Sequence, residues 1–475
     1  MTLDTSSLRV DRGATQAVLR GALMRPVVAK FGGTSLADAA QILKSRDIVR
    51  SDDRRKYVVV SAPGKRTDAD QKITDLLYLC HEHALRRLPF EEVFKVVRDR
   101  YLGIVQELGL KLDLRERLEE GRARIAEIGA VGGAPDYAAS RGEAWNGLVM
   151  AELLGYAYVD APEVIFFDEH GKLDAERTYS TCGARLAKDG PSVVPGFYGS
   201  TPSGAVKTFS RGGSDVTGAI VARAIRAEAY ENWTDVPGML ITDPRLVPGA
   251  YTIEVITYQE LRELAYSGAK VLHEEAVFPV REAGIPVNVR NTNDPSHPGT
   301  LVVPEGHSQA RVGYNITGLA GRKGFTVLLI EKAMMNSEIG FARRVLSVLE
   351  QNGVSLEHMP TGIDTLSLVV ETKGLEGKLE KVLRELQIAV EPDKVQVQDE
   401  LALIAVVGRG IARHPRSAAT VFRALYDLGV HVRMIDQGSS QLNIIVGVDA
   451  GRFEDAVRAI YKQFVHDDEH PEPVP

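Results

Sequence analysis

The sequence has few of the residues that would indicate a secreted, zinc-binding or nucleic-acid-binding protein. Only two cysteines, Cys80 and Cys182, occur in 475 residues, too few for a disulfide framework or a zinc cluster, so we expect no metal ligands. The formal net charge of −7 provides no basic surface for nucleic acid. No apolar run approaches the roughly 20 residues of a membrane-spanning helix, and the N-terminus lacks a signal-peptide pattern. We therefore expect a cytoplasmic protein without a membrane or nucleic-acid partner.

What the sequence does contain is a long alternation of short apolar runs with helical stretches. After residues 1–25, which we treat as an N-terminal extension, strand-like runs recur up to about residue 305. These runs are Pro26–Phe31, Tyr57–Ser61, Gly155–Asp160, Pro191–Phe197, Ala229–Thr234 and Pro286–Arg290. Such alternation is typical of an α/β domain with a mainly parallel sheet, whose ligands bind at the carboxyl ends of the strands. The length of the chain allows two to four domains.

The C-terminal third carries an internal repeat. Asn352–Met359 (NGVSLEHM) is echoed by Leu428–Ile435 (LGVHVRMI). Each copy is predicted to run strand, helix, strand, strand, helix, with Val354–Met359 as one strand, an order typical of ferredoxin-like βαββαβ domains. Such a pair can be a structural oligomerisation module or a small-ligand sensor, and we favour the sensor.

Two glycine pairs beside charged residues indicate a site for a phosphate and an amino acid. The first, in Lys30–Ser35 (KFGGTS), precedes a predicted helix at Leu36–Val49. Its glycines let the backbone approach a bulky anion, and Thr34 or Ser35 can cap the helix, whose first amide groups attract phosphate. The lysine precedes the glycines, which excludes the Walker A and dinucleotide-binding patterns. Alone, the pair could also be a tight turn.

The second glycine pair lies in Ser210–Asp215 (SRGGSD), before a predicted helix at Val216–Ala227. Arg211 offers a bidentate fork for a carboxylate, and Asp215 can accept from an ammonium group or orient a lysine. Either residue could instead form a loop-stabilising salt bridge. Glu143 lies in SRGE, which we predict to open a helix, and it either complements the helix dipole or binds a substrate amino group.

Two further segments suit a nucleotide. Asn232–Arg245 ends a strand and then turns, and its Thr234, Asp235 and Arg245 could contact a nucleotide, although the segment also fits a plain Pro-Gly turn. Lys270, in SGAKVLH, either reaches nucleotide phosphates or lies on a solvated helix face.

Taken in order, seven motifs resemble those of the aspartate kinases in the amino acid kinase superfamily. They are KFGGTS, VVVSAPGK, SRGE, SRGGSD, WTDVPG followed by TDPR, SGAKVLH and VRNTNDPSHPGTLV, and the resemblance extends from about residue 26 to 465. It implies an αβα-sandwich kinase domain at 26–305, ACT domains at 313–397 and 398–467, and a tail at 468–475. In this family the second ACT domain is generally interleaved with the first.

The resemblance also implies roles for individual residues. Lys30 would neutralise the transferred phosphoryl group and Asp215 would organise the site, so these two are the expected catalytic residues. The expected ATP-binding residues are Lys30, Gly32, Gly33, Thr34, Thr234, Asp235, Arg245 and Lys270. The residues expected to bind L-aspartate are Ser61, Thr74, Glu143, Arg211 and Gly212, with Arg211 on the α-carboxylate.

The implied activity is the phosphorylation of the L-aspartate β-carboxylate by ATP and Mg²⁺, which gives 4-phospho-L-aspartate for lysine, threonine and methionine synthesis. The β-carboxylate has a reference pKa of about 3.9 and is already anionic, so its attack needs no general base. The alternatives are an aspartokinase of the ectoine pathway, an enzyme like glutamate 5-kinase, and an amino-acid sensor without catalysis. A sensor would be expected to lose Lys30, Arg211 or Asp215, and all three are present.

Members of the family bind inhibitory lysine between a strand and a helix of the first ACT domain. The matching residues are Met335, Glu338, Gly340, Phe341, Ala342, Leu356 and Glu357. Helix-start amides there could hold a carboxylate, and Glu338 or Glu357 could bind the ammonium group of the effector. His358–Asp364 differs from the Thr-Ser-Glu pattern of lysine-sensitive members, so lysine and threonine are both candidate effectors. The ACT domains also imply a homodimer or homotetramer.

Overall fold

The computed structural model describes residues 25–210, 212–269, 272, 274–310, 316–414 and 416–469. Residues 1–24 of the predicted extension and 470–475 of the predicted tail lie outside them. The chain divides into two compact units: one runs to Met239 and includes Leu272–His307, and the other comprises Leu240–Val271 and the chain from Ser308. The boundaries of the kinase and ACT domains stay a prediction. No helix in the described ranges is long and apolar enough to cross a membrane.

The strands up to residue 303 are short and mostly buried. They are β1 (Val27–Phe31), β2 (Tyr57–Val60), β3 (Ala157–Tyr158), β4 (Ser192–Pro195), β5 (Tyr198–Ser200), β6 (Val206–Thr208), β7 (Ala229–Thr234), β8 (Val255–Thr257), β9 (Val287–Asn291) and β10 (Thr300–Val303). In the first unit, seven of the described strands follow the order β3-β4-β2-β1-β7-β9-β10. All neighbours are parallel except β9 and β10, as the α/β pattern predicts.

Helices cover both faces of this sheet, and its central strands β1 and β2 are correspondingly buried and mostly apolar. The helices are α1 (Ala39–Arg50), α2 (Ile73–Leu85), α3 (Glu91–Glu107), α4 (Arg115–Ala130), α5 (Asp136–Leu154), α6 (Ala175–Asp189), α7 (Gly213–Ala224), α8 (Tyr258–Tyr266) and α9 (Glu274–Glu282). Helices α1–α5 share one hydrophobic cluster with Phe31 and Trp233. On the opposite face, Gly218 of α7 lies against Tyr230 of β7. Because side chains alternate along a strand, Lys30 and Asn232 point toward the α7 face.

The second unit contains one antiparallel sheet in the order β12-β11-β13-β15-β14. Its strands are β11 (Gly318–Glu331), β12 (Thr365–Glu371), β13 (Lys394–Val407), β14 (Val432–Asp436) and β15 (Asn443–Asp449). Its helices after residue 316 are α10 (Phe341–Gln351), α11 (Thr372–Leu375), α12 (Leu379–Val390), α13 (Arg416–Asp427) and α14 (Phe453–Glu469). The strand predicted at Val354–Met359 was wrong: only a bridge between His358 and Val369 forms there. Pro360 accepts at its carbonyl from the Ser367 N–H over 2.9 Å, but it has no N–H group to donate to the ladder.

Two hydrophobic clusters divide this sheet between the copies of the repeat. Leu328 and Ile330, in the second half of β11, pack with α10 and α12. Leu319, in the first half of β11, packs with α13 and α14 instead. The strand that opens the first copy therefore begins in the core of the second copy.

Candidate active site

The side chains of Lys30, Asp215 and Asn232 meet at the carboxyl end of β1. Lys30 Nζ lies 2.5 Å from Asp215 Oδ1 and 3.5 Å from Asn232 Oδ1. Asn232 Nδ2 donates to the same Asp215 oxygen over 3.0 Å. The parallel register pairs Lys30 with Asn232 across β1 and β7, and Asp215 lies in the first turn of α7. The result is a nearly buried ammonium group held at the end of the sheet where ligands of α/β domains bind.

The backbone of the KFGGTS loop packs directly on the loop that follows β2. Gly64 donates from its N–H to the Gly33 carbonyl oxygen over 2.8 Å. A Cβ atom on Gly64 would lie 2.6 Å from Gly33 C, so only glycine fits at this contact. A Cβ atom on Gly32 would lie 3.6 Å from Lys30 Nζ, in the space that faces the ammonium group. Thr34 is exposed beside these glycines.

The predicted helix cap in this loop was wrong. Thr34 and Ser35 belong to a short 3-10 turn, and α1 begins only after Asp38, whose side chain accepts from the Gln41 N–H over 2.9 Å. Ser35 is buried and bonds Thr292, Oγ to Oγ1, over 2.7 Å. The first helical amides after the glycines are therefore those of a single 3-10 turn.

Glu143 is a buried carboxyl group that faces the same region as Lys30. The prediction that SRGE opens a helix was wrong, because α5 begins at Asp136 and Glu143 lies in its interior. Helix-dipole compensation therefore does not explain this residue. Burial raises the pKa of Glu143 to about 8, although an N–H from Ala62 and the charges of Arg141 and Lys30 act in the opposite direction. Its Oε2 has no hydrogen-bond partner in the described residues.

Of the other predicted aspartate-binding residues, those that the structure describes lie in loops and first helical turns of the same unit. Ser61 donates from its N–H to Phe31 O over 3.2 Å and accepts at its carbonyl from Asn146 Nδ2 over 2.7 Å. Thr74 is partly buried in the first turn of α2. Gly212 caps α7 with φ +55°. Arg211 lies outside the described residues.

The predicted nucleotide-binding residues fall into both units. Thr234 ends β7, and its Oγ1 donates to Asp235 Oδ1 over 3.2 Å. Arg245 belongs to the second unit, where its exposed guanidinium pairs with Asp243, Nη2 to Oδ2, at 2.5 Å. Lys270 lies outside the described residues. The assignment of these residues to ATP stays a prediction.

Sequence reasoning assigned no role to Asn232, Arg141 or Arg100. Asn232 could have been found from register, since parallel strands place it beside Lys30. Arg141 lies within the SRGE motif but was passed over. Arg100 is buried in α3 and donates from Nη1 to Gly64 O over 3.3 Å, while its Nη2 pairs with Asp70 Oδ2 at 2.7 Å. Nothing local in the sequence marks that contact.

Both carboxylates predicted to bind an effector ammonium group already have cationic partners. Glu338 pairs with Lys332 at 2.8 Å and also with Arg344. Glu357 Oε2 accepts from Tyr266 OH over 2.9 Å and pairs with Arg322 Nη2 at 3.3 Å. The other predicted effector residues surround the start of α10: Met335, Gly340, Phe341, Ala342 and Leu356. Gly340 caps this helix with φ +81°.

Comparisons with known families and proteins match most of the chain. Residues 25–291 match the amino acid kinase family, and residues 404–464 match the ACT domain. Aspartokinase 3 of Bacillus subtilis is 37% identical over 449 residues, which cover 92% of this chain and 98% of that protein. Lysine-sensitive aspartokinase 3 of Escherichia coli is 30% identical over 461 residues, with 92% and 98% covered.

Solved structures agree with these relatives. The aspartate kinase of Clostridium acetobutylicum, described as an allosteric enzyme, is 50% identical with a TM-score of 0.83 and covers 93% of this chain and 100% of that one. Escherichia coli aspartokinase III in complex with aspartate and ADP is 29% identical with a TM-score of 0.71, over 93% of this chain and 100% of that one. This chain therefore belongs to the aspartokinases: it is an aspartate kinase of the amino acid kinase family, with a C-terminal ACT region.

Proposed function

We propose that the site transfers the γ-phosphoryl group of ATP to the β-carboxylate of L-aspartate, with Lys30 facing the phosphoryl group and Glu143 binding the substrate ammonium group. The observation that carries this proposal is the juxtaposition of a nearly buried lysine with a buried carboxyl group that lacks a full set of partners. The lysine can neutralise the negative charge that develops on the phosphoryl oxygens, and the carboxyl group can bind the ammonium group of an amino acid.

Catalysis here depends on charge and positioning. The attacking carboxylate is already ionised at neutral pH, so no residue has to remove a proton from it. Asp215 and Asn232 hold the Lys30 ammonium group at one place, which spares the reorganisation that a free side chain would need. A fixed cation then stabilises the negative charge that spreads over the phosphoryl oxygens in a loose transition state. Amides of the KFGGTS loop other than those of Gly32 and Ser35, which donate to Trp233 O and Gly32 O, can add to this stabilisation.

Mg²⁺ would be bound mainly through the nucleotide. Among the described residues, no three His, Cys, Asp or Glu side chains are grouped to hold a metal ion. Mg²⁺ in phosphotransferases typically binds through one or two carboxylates and the substrate phosphates, and not in a protein cage. The site fits that mode, because Asp215 offers a partly exposed carboxylate beside Lys30. The bound ion would neutralise phosphate charge.

Lysine is the effector that we propose for the ACT region, with threonine as the alternative. Escherichia coli aspartokinase III, 29% identical to this chain with a TM-score of 0.69 over 92% of it and 99% of that chain, has been solved with lysine and aspartate in the T-state. In this chain a cationic effector would have to replace Lys332 and Arg344 at Glu338, or Tyr266 and Arg322 at Glu357. We also propose assembly through the ACT region, where Ile339 and Ile388 are largely exposed.

A coupled assay of ADP release tests the proposed function. The purified chain is incubated with ATP, Mg²⁺ and either L-aspartate or L-glutamate, and lysine and threonine are then added separately. We expect turnover with aspartate at least 100-fold above that with glutamate, because one extra methylene misplaces the carboxylate at the phosphoryl group. Equal or greater turnover with glutamate would overturn the substrate assignment.

A further inference from the structure

Arg141 is a charged side chain for which the mechanism above has no use. It lies on α5 between two aromatic rings, with Cζ 4.5 Å from the ring centroid of Tyr137 and 5.5 Å from that of Tyr198. Its Nε and Nη2 donate to Ser140 Oγ over 3.2 and 3.0 Å. It forms no ion pair within the part of the chain that the structure describes. A guanidinium has five N–H donors, so most of its hydrogen-bonding capacity is left for a ligand.

Asp160, whose charge acts on Arg141, and Asp136, five residues earlier on α5, both have other partners. Asp160 Oδ1 accepts from Tyr198 OH over 2.5 Å. Asp136 Oδ1 accepts from the N–H and Oγ1 of Thr208 over 2.7 and 2.8 Å and lies 3.3 Å from Lys207 Nζ. Within the described residues no carboxylate forms an ion pair with this partly buried guanidinium, although, against the effect of burial, the charge of Asp160 helps to raise the pKa of Arg141. Such an arrangement costs free energy unless a ligand completes it.

Arg141 also has a complementary neighbour on the same helix. Glu143 feels the charge of Arg141, yet the two form no ion pair, and Glu143 Oε2 lacks a hydrogen-bond partner among the described residues. Arg141 and Glu143 leave the helix on different sides but lie within electrostatic range of each other without pairing, and a zwitterionic amino acid carries the two charges that match them. The ammonium group would go to Glu143 and a carboxylate to Arg141.

The backbone connects Arg141 to the SRGGSD loop. Tyr198, one of its stacking partners, follows Phe197, whose carbonyl accepts from the Phe209 N–H over 2.9 Å. Gly213 packs so tightly on Phe197 that a Cβ atom there would collide with the ring. The aromatic support of Arg141 is thus fixed to the loop that contains Gly212.

We propose that Arg141 is a specificity-determining residue that binds the α-carboxylate of the substrate while Glu143 binds its ammonium group. This inference rests on the proposed function. The α-carboxylate has two oxygens and about four lone-pair sites, so Arg141 can share it with Arg211. Asp215 and Lys30 are left to the phosphoryl end of the site.

The test compares L-aspartate with its α-amide, which keeps the ammonium group and the β-carboxylate but has a neutral group at the α position. The wild-type protein should prefer aspartate, and kcat/KM is measured for both substrates in each variant. In Arg141→Met we expect KM for aspartate to rise 10- to 100-fold, KM for ATP to stay within about threefold, and the preference over the α-amide to fall by the same 10- to 100-fold. Arg177→Met is the matched control, because Arg177 also stacks on a ring, 3.8 Å from the centroid of Phe166.

The possible failures are distinguishable. If the wild-type protein does not phosphorylate aspartate, the proposed function fails. If it does, but does not distinguish aspartate from the α-amide, or if Arg141→Met slows both substrates equally, only the role of Arg141 fails. If Arg141→Met does not fold, Arg141→Lys serves instead, because lysine keeps the positive charge but lacks the bidentate guanidinium. An unchanged ratio of kcat/KM for aspartate to kcat/KM for the α-amide in that variant would also overturn the inference.

Discussion

At the scale of single residues, the role proposed for Glu143 predicts that substrate binding depends on pH. Burial raises the pKa of its carboxyl group to about 8, so the group is mainly neutral below that pH when no substrate is present. A bound ammonium group favours the anion, and binding must then release a proton. As pH falls below about 8, we predict that KM for aspartate increases by a factor that approaches ten for each pH unit. Measurement of KM between pH 6 and 9, with KM for ATP as an internal reference, checks this, and a flat profile for aspartate would contradict it.

The same pKa predicts the effect of Glu143→Gln on stability. The folded-state pKa is raised above the ordinary value of 4.5, so the stability that the neutral carboxyl provides is fully present below about pH 4.5 and is lost as pH rises through 8. Glutamine does not ionise and can still accept from Ala62. At pH 8.5 we expect the variant to unfold at a higher temperature than wild type, with a free energy of unfolding that is larger by up to about 1.4 kcal/mol per shifted pKa unit. At pH 5 the two proteins should unfold at similar temperatures. Thermal unfolding at both pH values measures this, while KM for aspartate should rise more than tenfold.

Among the substitutions considered, that of Lys30 is expected to lower kcat most. In Lys30→Met the side chain keeps its length but no longer neutralises the phosphoryl group, so kcat should fall by about 10²- to 10³-fold. KM for ATP should change only a few-fold, since the backbone of the glycine loop is retained. Lys56→Met, at an exposed position just before β2, is the control for loss of a lysine. A kcat within threefold of wild type in Lys30→Met would exclude the role proposed for this residue.

At the scale of elements, the loops after β1 and β2 act as one piece of backbone. Gly64→Ala would place a methyl group 2.6 Å from Gly33 C, so the KFGGTS loop must move away from Lys30. We predict a fall of kcat by more than tenfold, because displacement of a phosphate-binding loop by about an ångström misplaces the reacting group. Gly103→Ala, on α3 with nothing within 4 Å of the new methyl group, should leave kcat unchanged and raise stability by up to about 1 kcal/mol. Equal kcat values in both variants would contradict the coupling of the two loops.

The elements also show what local sequence patterns can and cannot predict. β1, β2, β4, β7 and β9 were predicted to within about two residues, because buried parallel strands are apolar runs bounded by turn residues. The start of α5 was missed by four residues and the true cap of α1 was overlooked, since several residues nearby could have capped either helix. Lys30, Asp215 and Glu143 were selected from their motifs, and their catalytic and substrate-binding roles stay predictions. The contact between Lys30 and Asn232 requires the pairing of β1 with β7 to be known. The buried state of Glu143 arises from packing between distant segments, which no local pattern encodes.

At the scale of the whole molecule, the region matched to the amino acid kinase family and the compact units do not coincide. The match covers residues 25–291, yet Leu240–Val271 groups with the ACT region. In that unit Tyr266, at the end of α8, donates to Glu357, and Arg322 bridges Glu357 to Glu371, with Nη1 2.5 Å from Glu371 Oε1. Tyr266 precedes the motif that contains Lys270, a predicted nucleotide-binding residue. A segment of the kinase region is therefore attached to a predicted effector residue.

This attachment predicts how Tyr266→Phe alters regulation. If an effector ammonium group binds Glu357, it must compete with the Tyr266 hydroxyl, whose hydrogen bond to that carboxylate is worth about 0.5–1.5 kcal/mol. Tyr266→Phe removes the competitor but keeps the ring, so half-maximal inhibition by lysine or threonine should occur at a 2- to 10-fold lower concentration, with uninhibited kcat within twofold of wild type. Tyr426→Phe, at an exposed tyrosine of the same unit, should leave the inhibition curve in place. If the inhibition curves of wild type and Tyr266→Phe coincide, the effector does not bind Glu357. Glu338, which pairs with Lys332 and Arg344, would then be the next carboxylate to test.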